Sequence, residues 1–438
     1  MKNNERTLDT IILIINACLI LILFLLFNLL WGNLFSNIIY FYNKGNWFIN
    51  VVMICVVIYF NYIYGGFKLK ENKLSEIIFS QILTLIITNL SLYFVVCVST
   101  KRLVIIFPFM ILLFVQVIFT LIFNSISKYF TNKFFPARNT LIIYDKSNGD
   151  VDTKLTDIYN NMFKVSKIIE IKELKEIPSY QSYEYIVLYK LSTVEKENLL
   201  IRFFDKNLIV YIIPSLGDIL TNNMGVSHII DTPMLISSCF GPSQTSRIVK
   251  RIIDFTISLT ACILLSPLMI LVYFAIKVFD GGPAIYKQER VTLHGKSFNI
   301  YKFRSMVINA EVNGEAKFAT KNDNRITPIG KIIRKFRLDE LPQLFNILKG
   351  DMSIVGPRPE RPEIISDIKK DLPEFDFRLK VKAGLTGYAQ VYGKYNTKLE
   401  DKLLLDLIYI QNYSIVLDFK IMFLTVKSIF SSDSTEGY

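Results

Sequence analysis

Residues that bind metals or carry redox chemistry are scarce in this chain. Its 438 residues include two histidines, His228 and His294, and five cysteines, Cys18, Cys55, Cys97, Cys239 and Cys262. No CxxC pair occurs, and neither histidine has a histidine or cysteine partner at ligand spacing, which excludes a zinc knuckle, a redox dithiol and a disulfide-stapled scaffold. The cysteines read as inert apolar residues and the histidines as structural. A glycine fingerprint GxGxxG is also missing from the one stretch with strand-length apolar runs, so no pyrophosphate cradle is indicated there. Acidic residues are outnumbered, with 38 Asp+Glu against 50 Lys+Arg and a net charge of +12. Such a balance suits anionic partners, yet no nucleic-acid-binding module is recognisable and the first third is apolar, so nucleic acid is not the expected partner.

What the chain has instead is hydrophobic length. It is 51% hydrophobic with a mean hydropathy of +0.36, too apolar for a wholly soluble protein. Four runs, Ile11 to Trp31, Trp47 to Tyr64, Ile77 to Val98 and Leu103 to Phe123, are each long enough to cross about 30 Å of hydrocarbon. They predict a bundle of four transmembrane helices within residues 1–125. The first run is longer than a signal-peptide core and no small-residue cleavage site follows it, so it reads as a retained anchor. Lys68, Lys70 and Lys73 follow the second run and Lys128, Lys133 and Arg138 follow the fourth, which places both of those ends in the cytoplasm. Lys101 and Arg102 would then lie outside, in a short turn.

From Asn139 the apolar runs shorten to Thr140–Tyr144, Tyr185–Tyr189 and Leu208–Ile213, separated by charged stretches. They predict a small Rossmann-like α/β domain over 136–240 with a parallel sheet. Without its glycine fingerprint the domain suits scaffolding, regulation or self-association, possible in a homodimer, better than nucleotide binding.

A fifth apolar run, Ile252 to Val278, lies within a segment expected to be re-entrant, 245–280. Basic residues stand on both sides of it, and Ser266-Pro267 sits at its centre, where proline removes a backbone bond. The expectation is a re-entrant pair of helices that enters and leaves by the cytoplasmic face; the alternative is a kinked spanning helix. A last apolar helix from Ile415 to Phe430 carries three charges, which suits an amphipathic helix in the interface or a core helix of a soluble domain.

Between these two runs, residues 281–438 hold the residues suited to chemistry. Asp339 and Glu340 precede Pro342, a residue favoured in the first turn of a helix, here one running through Leu348. Ionised carboxylates at such a place can hold Mg²⁺ or attack phosphorus. Lys302, Arg304, Arg334, Arg337 and Arg358 supply cations for phosphate oxygens, and Arg358 is framed by Pro357 and Pro359. A solvated charged face or contact with anionic headgroups would use the same cations, but neither explains a carboxylate pair beside a proline-framed arginine.

In order along the chain, the stretches KRIIDF, Ser266-Pro267, DGGPAIYKQER, YKFRSM, TPIGKIIRKFRLDELPQLFNILKGDMSIVGPRPERP and KAGLTGYAQVYGK closely resemble the bacterial polyprenyl-phosphate hexose-1-phosphate transferases. These initiate exopolysaccharide, capsule and O-antigen assembly. The resemblance runs from about Arg247 to the C-terminus, and the spans with the α/β domain ahead of it look like the family's long form. It implies a mainly helical α/β monotopic catalytic domain in the bacterial cytoplasmic membrane, facing the cytoplasm. It further implies that Asp339 attacks the β-phosphorus of a UDP-hexose, releasing UMP, and that undecaprenyl phosphate then takes the sugar phosphate. Mg²⁺ would be held by Asp339 with help from Glu340 and the diphosphate, and Lys302, Arg334 and Arg358 would contact phosphate or nucleotide. Tyr388 stands where the family often has tryptophan. Two other readings remain open, a regulatory subunit without chemistry and a sugar transferase that releases UDP.

Overall fold

The computed structural model describes residues 2–35, 43–145, 163–176, 183–204, 208–222, 225–229, 232–236, 241–307, 325–393 and 397–430. They form two compact units, Met1–Pro214 and Ser215–Tyr438.

The first unit opens with four long helices, α1 (Lys2–Phe35), α2 (Asn43–Tyr64), α3 (Leu74–Thr100) and α4 (Phe107–Phe134). Each contains a stretch long and apolar enough to cross a membrane. They pack in chain order and α4 returns to α1, around a core that includes Leu23, Phe27, Met53, Leu92 and Leu112. Leu13, Leu25, Leu90 and Phe114 face outward, as lipid-facing positions require. The seam between α3 and α4 is polar and buried. Gln81 and Asn124 exchange amide hydrogen bonds at 3.2 and 2.6 Å, and Asn89 donates to Gln116 at 2.8 Å. Polar pairs of this kind act as interhelical glue where the surroundings offer no water.

The turn from α2 to α3 meets the α/β part of the same unit. Lys70 donates to the Tyr185 hydroxyl at 3.3 Å, and Lys128 donates to the carbonyls of Leu69 and Asn72. Lys70 and Lys128, two of the lysines expected on one side of the membrane, thus lie at the same end of the helices.

That sheet contains β1 (Arg138–Tyr144), β2 (Phe163–Glu170), β3 (Tyr185–Tyr189) and β4 (Ile209–Ile212), all parallel in the order β2-β1-β3-β4. One helix, α5 (Thr193–Phe204), covers it with Leu199 and Phe203. The three strands expected from sequence are β1, β3 and β4. Strand β2 has no run of apolar residues because it lies at the edge, where Lys164, Ser166 and Lys167 interrupt them. The turn after β1, from residue 146 on, lies outside the described residues.

The second unit begins with α6 (Leu216–Asn222) and the hairpin β5 (Gly225–Ile229) and β6 (Thr232–Ile236). The division between units thus falls inside the 136–240 segment, and Ile219 of α6 belongs to the second unit's core. Next comes α7 (Gln244–Asp280), capped by Ser243 at its start and by Gly281 at φ 69° at its end. It is one continuous helix of 37 residues, so the break expected at Ser266-Pro267 is not an interruption. The physical reason is local. Proline cannot bond the Ile263 carbonyl four residues back, but the Ser266 hydroxyl donates to it at 2.8 Å.

Beyond α7 lie the antiparallel hairpin β7 (Ile285–Val291) and β8 (Ser297–Phe303), helix α8 (Pro328–Lys335), a 3₁₀ turn at Leu338–Glu340, and α9 (Gln343–Lys349). Short β9 (Ser353–Val355) pairs in parallel with β10 (Gly384–Thr386), and between them run α10 (Pro362–Asp371) and a 3₁₀ stretch at Pro373–Lys380. The chain closes with α11 (Tyr388–Tyr392), α12 (Leu399–Gln411) and α13 (Ile415–Phe430). Leu344, Ile347, Met352, Val355, Leu407, Ile410 and Ile421 form the shared core. In α13 the buried stripe is Asp418, Ile421 and Leu424, so the helix serves the core with one face. Val416 and Val426 remain exposed on another.

Candidate active site

The carboxylate pair sits at a sharp reversal. Helix α8 is capped at its start by Thr327, whose hydroxyl accepts from the Gly330 amide, and at its end by Phe336. Arg337 then adopts φ 52°, a left-handed conformation uncommon outside glycine, and turns the chain into the 3₁₀ turn that carries Asp339 and Glu340. Pro342 then caps the start of α9, where the sequence predicts a new helix.

The two carboxylates are not equivalent. Glu340 is buried, and its Oε1 accepts from Lys302 on β8 at 3.4 Å and from Arg358 at 3.2 Å. Burial opposes its ionisation, but Arg358, Lys302 and Arg337 outweigh burial and hold its carboxyl down at about 2. Asp339 is half-buried, and among the described residues no hydrogen bond or ion pair engages its side chain. Burial, together with the charge of Glu340, pushes its carboxyl up to about 6 against the pull of Lys302, Arg334 and Arg358. One carboxylate is therefore pinned by cations, while its neighbour feels their charge without a hydrogen bond or ion pair among the described residues.

Of the residues expected at the site, Lys302 and Arg358 touch Glu340, and Arg334 from the last turn of α8 acts electrostatically on Asp339. Arg304, just past β8, is buried with its backbone amide on the Ala284 carbonyl. Ser266 and Pro267 lie within α7. A Mg²⁺ ion usually keeps several waters and takes one or two carboxylates plus substrate phosphates. Adjacent Asp339 and Glu340 meet that requirement in type, with Asp339 the more available because Glu340 Oε1 already serves two cations. Among the described residues no group of three acidic, histidine or cysteine side chains could hold an ion without substrate.

Arg358 is aimed by its backbone. The turn after β9 has its carbonyls engaged in sequence: that of Pro357 by the Gly384 amide, that of Arg358 by Arg378 at 2.9 Å, and that of Pro359 by Arg290 at 3.1 Å. At Gly356 a Cβ would lie 2.3 Å from the Lys382 carbonyl, so only glycine lets β9 and β10 approach this closely. Arg378 is itself buried against Asp406 at 2.9 Å and lies over the Phe375 ring. Sequence reasoning missed Arg290, Arg378 and Asp406 as supports. The one signal available was that Arg290 falls inside a motif; nothing local marks a pair 28 residues apart.

The family profile described as bacterial sugar transferase matches residues 245–432. The chain is 37% identical to an uncharacterized sugar transferase of Bacillus subtilis, over 43% of this chain and 91% of that protein. It belongs to the bacterial sugar transferase family. Longer relatives match as well. An undecaprenyl-phosphate galactose phosphotransferase of Salmonella typhimurium is 36% identical over 64% of this chain and 62% of its own length. A UDP-N-acetylgalactosamine-undecaprenyl-phosphate N-acetylgalactosaminephosphotransferase of Aeromonas hydrophila is 38% identical over 54% of this chain and 55% of its own. The chain thus spans a little over half the length of these two relatives. The family match covers α7 through α13 and so includes both carboxylates, Lys302, Arg304, Arg334 and Arg358.

Proposed function

We propose that this chain transfers a hexose 1-phosphate from a UDP-hexose to undecaprenyl phosphate in two steps through Asp339. The observation that carries the reading is the division of labour within the pair, with Glu340 fixed by Lys302 and Arg358 and Asp339 unengaged beside the same cations. In the first step an Asp339 carboxylate oxygen attacks the phosphorus bonded to the sugar. The bond from that phosphorus to the bridging oxygen breaks, and UMP leaves with the electron pair. In the second, an oxygen of undecaprenyl phosphate attacks the same phosphorus and the carboxylate departs, giving undecaprenyl-diphosphate-hexose. A covalent intermediate divides one transfer between two anions into two easier displacements. Lys302, Arg334 and Arg358 neutralise the charge on the transferred phosphoryl group, and Glu340 keeps Lys302 and Arg358 in place. Mg²⁺, bound by Asp339 with the donor diphosphate, would add further charge neutralisation.

The placement of α7 supports work at the membrane surface. Its first half hydrogen-bonds α9 and β9, while Met269, Val272 and Ile276 in its second half pack with Phe303 and Ile333. Both halves serve one folded unit, and Ile263, Leu264, Ile270, Leu271 and Phe274 point away from it. A helix that dips into one leaflet along the unit's flank accounts for both facts. A donor from the cytoplasm and a lipid phosphate at headgroup depth would then meet on the same side.

The test is to incubate the full chain with Mg²⁺, undecaprenyl phosphate and a panel of UDP-sugars, and to assay UMP and UDP separately. UMP with wild-type protein, and neither turnover nor covalent labelling by radioactive donor with Asp339→Asn, is the expected result. UDP as sole product would sink phosphate transfer, and full activity of Asp339→Asn would remove that residue as nucleophile.

A further inference from the structure

Three charged residues on α7, far from the reacting carboxylate in sequence, hold the elements that carry the site. Lys250 donates to Asp418 Oδ2 at 2.6 Å; the other Asp418 oxygen accepts from Tyr409, whose hydroxyl also lies 3.2 Å from the Val355 carbonyl of β9. Arg251 uses two nitrogens on the C-terminal end of α9, reaching the carbonyls of Ile347 at 2.5 Å and Leu348 at 2.7 Å. Asp254 is buried, and each of its oxygens is used on β9, one accepting from the Ser353 hydroxyl at 2.7 Å and the other from the Ile354 amide at 3.2 Å. Helix α9 follows directly on Asp339 and Glu340, and its Asn346 in turn binds β8 through Asn299 and Tyr301, next to Lys302. Strand β9 runs directly into Gly356-Pro357-Arg358.

The geometry points to Lys250, Arg251 and Asp254 as a positioning triad that ties the membrane helix to both halves of the phosphate site. Arg251 sets α9 and with it the carboxylates, while Asp254, aided by Lys250 through Asp418 and Tyr409, sets β9 and with it Arg358. None of the three contacts the carboxylates. Their effect passes through backbone groups whose shift by an ångström would misalign attack and cost about 10²-fold in rate. This inference rests on the phosphate-transfer reading of the site, and it adds that the seat of α7 in its surroundings is read out at Arg358.

The experiment uses the full chain in lipid nanodiscs, comparing wild type, Asp254→Ala, Asp254→Asn and Arg251→Ala by amide hydrogen exchange and by UMP release normalised to the burst of UMP per molecule. Asp254→Ala is expected to speed exchange from Ile354 through Arg358 while leaving α8 unchanged. Its kcat should fall about tenfold or more, with KM for donor within about threefold. Asp254→Asn keeps an acceptor for the Ile354 amide and should recover to within about threefold of wild type. Arg251→Ala should speed exchange in α9 and lower kcat in the same way. Unchanged exchange over 354–358 in Asp254→Ala would overturn the triad. So would a loss confined to burst size, or one appearing wholly in KM for lipid phosphate, since either would reduce these residues to folding or docking. Failure of the functional reading looks different: wild type would release no UMP while the exchange pattern still appeared.

Discussion

Arg337 shows how a single residue serves backbone and charge at once. Its left-handed conformation costs about 1 kcal/mol or more for a residue with a Cβ, and glycine would adopt it freely. Arginine at that corner adds a cation that helps keep Glu340 ionised. Asp339, two residues on, feels Lys302 and Arg358 as well, but burial and the charge of Glu340 outweigh them and push its carboxyl up to about 6. On the proposed mechanism Asp339 attacks in its ionised form, so kcat/KM should rise with pH through an acid limb near 6 and level off above it. A pH-rate profile for UMP release checks this, and a profile flat from pH 5 to 8 would contradict it. The sequence shows two adjacent carboxylates and several cations. It does not show which carboxylate the cations take, because Lys302 and Arg358 lie 38 and 18 residues away and reach Glu340 only through the hairpin and the β9 turn.

At the scale of elements, the turn after β9 depends on a buried ion pair it does not contain. Arg378 donates to the Arg358 carbonyl while paired with Asp406, and both side chains are nearly inaccessible. Removing one partner of such a pair strands the other charge, at a cost of about 3–5 kcal/mol. Arg378→Leu should therefore lower the unfolding midpoint in denaturant, whereas Arg378→Leu combined with Asp406→Leu should recover part of the loss; equal loss in both variants would show that the pairing is not what matters. Helix α13 illustrates a limit of pattern reading. Its apolar residues cover more than one face, so periodicity alone left an interface helix and a core helix open, and burial of Ile421 and Leu424 with Asp418 decides that one face belongs to the core. Edge strand β2 was hidden for a related reason, since a strand open on one side need not alternate cleanly.

Over the whole molecule, the family match lies within the second unit, and the spans of α1 to α4 lie in the first. The fifth apolar helix belongs to the unit that bears the site, which makes its topology decisive for substrate access. A single cysteine placed at Gly282, just past the α7 cap, in an otherwise cysteine-free chain should react with a membrane-impermeant maleimide only after the cells are opened. Efficient labelling of intact cells would mean that α7 crosses.

Composition and order alone determined the apolar spans, three of the four sheet strands, the carboxylate pair and the ordered motifs around it, because helix length, strand propensity and turn chemistry are local properties of neighbouring residues. The tertiary structure decided which of the two carboxylates Lys302 and Arg358 bond. It also decided that Ser266 supplies the bond Pro267 lacks without interrupting α7, and that Arg251 and Asp254 on that helix bond α9 and β9. Those outcomes depend on partners such as Asp254 and Ile354, 100 residues apart, whose meeting is set by how the chain closes and by no pattern within either segment.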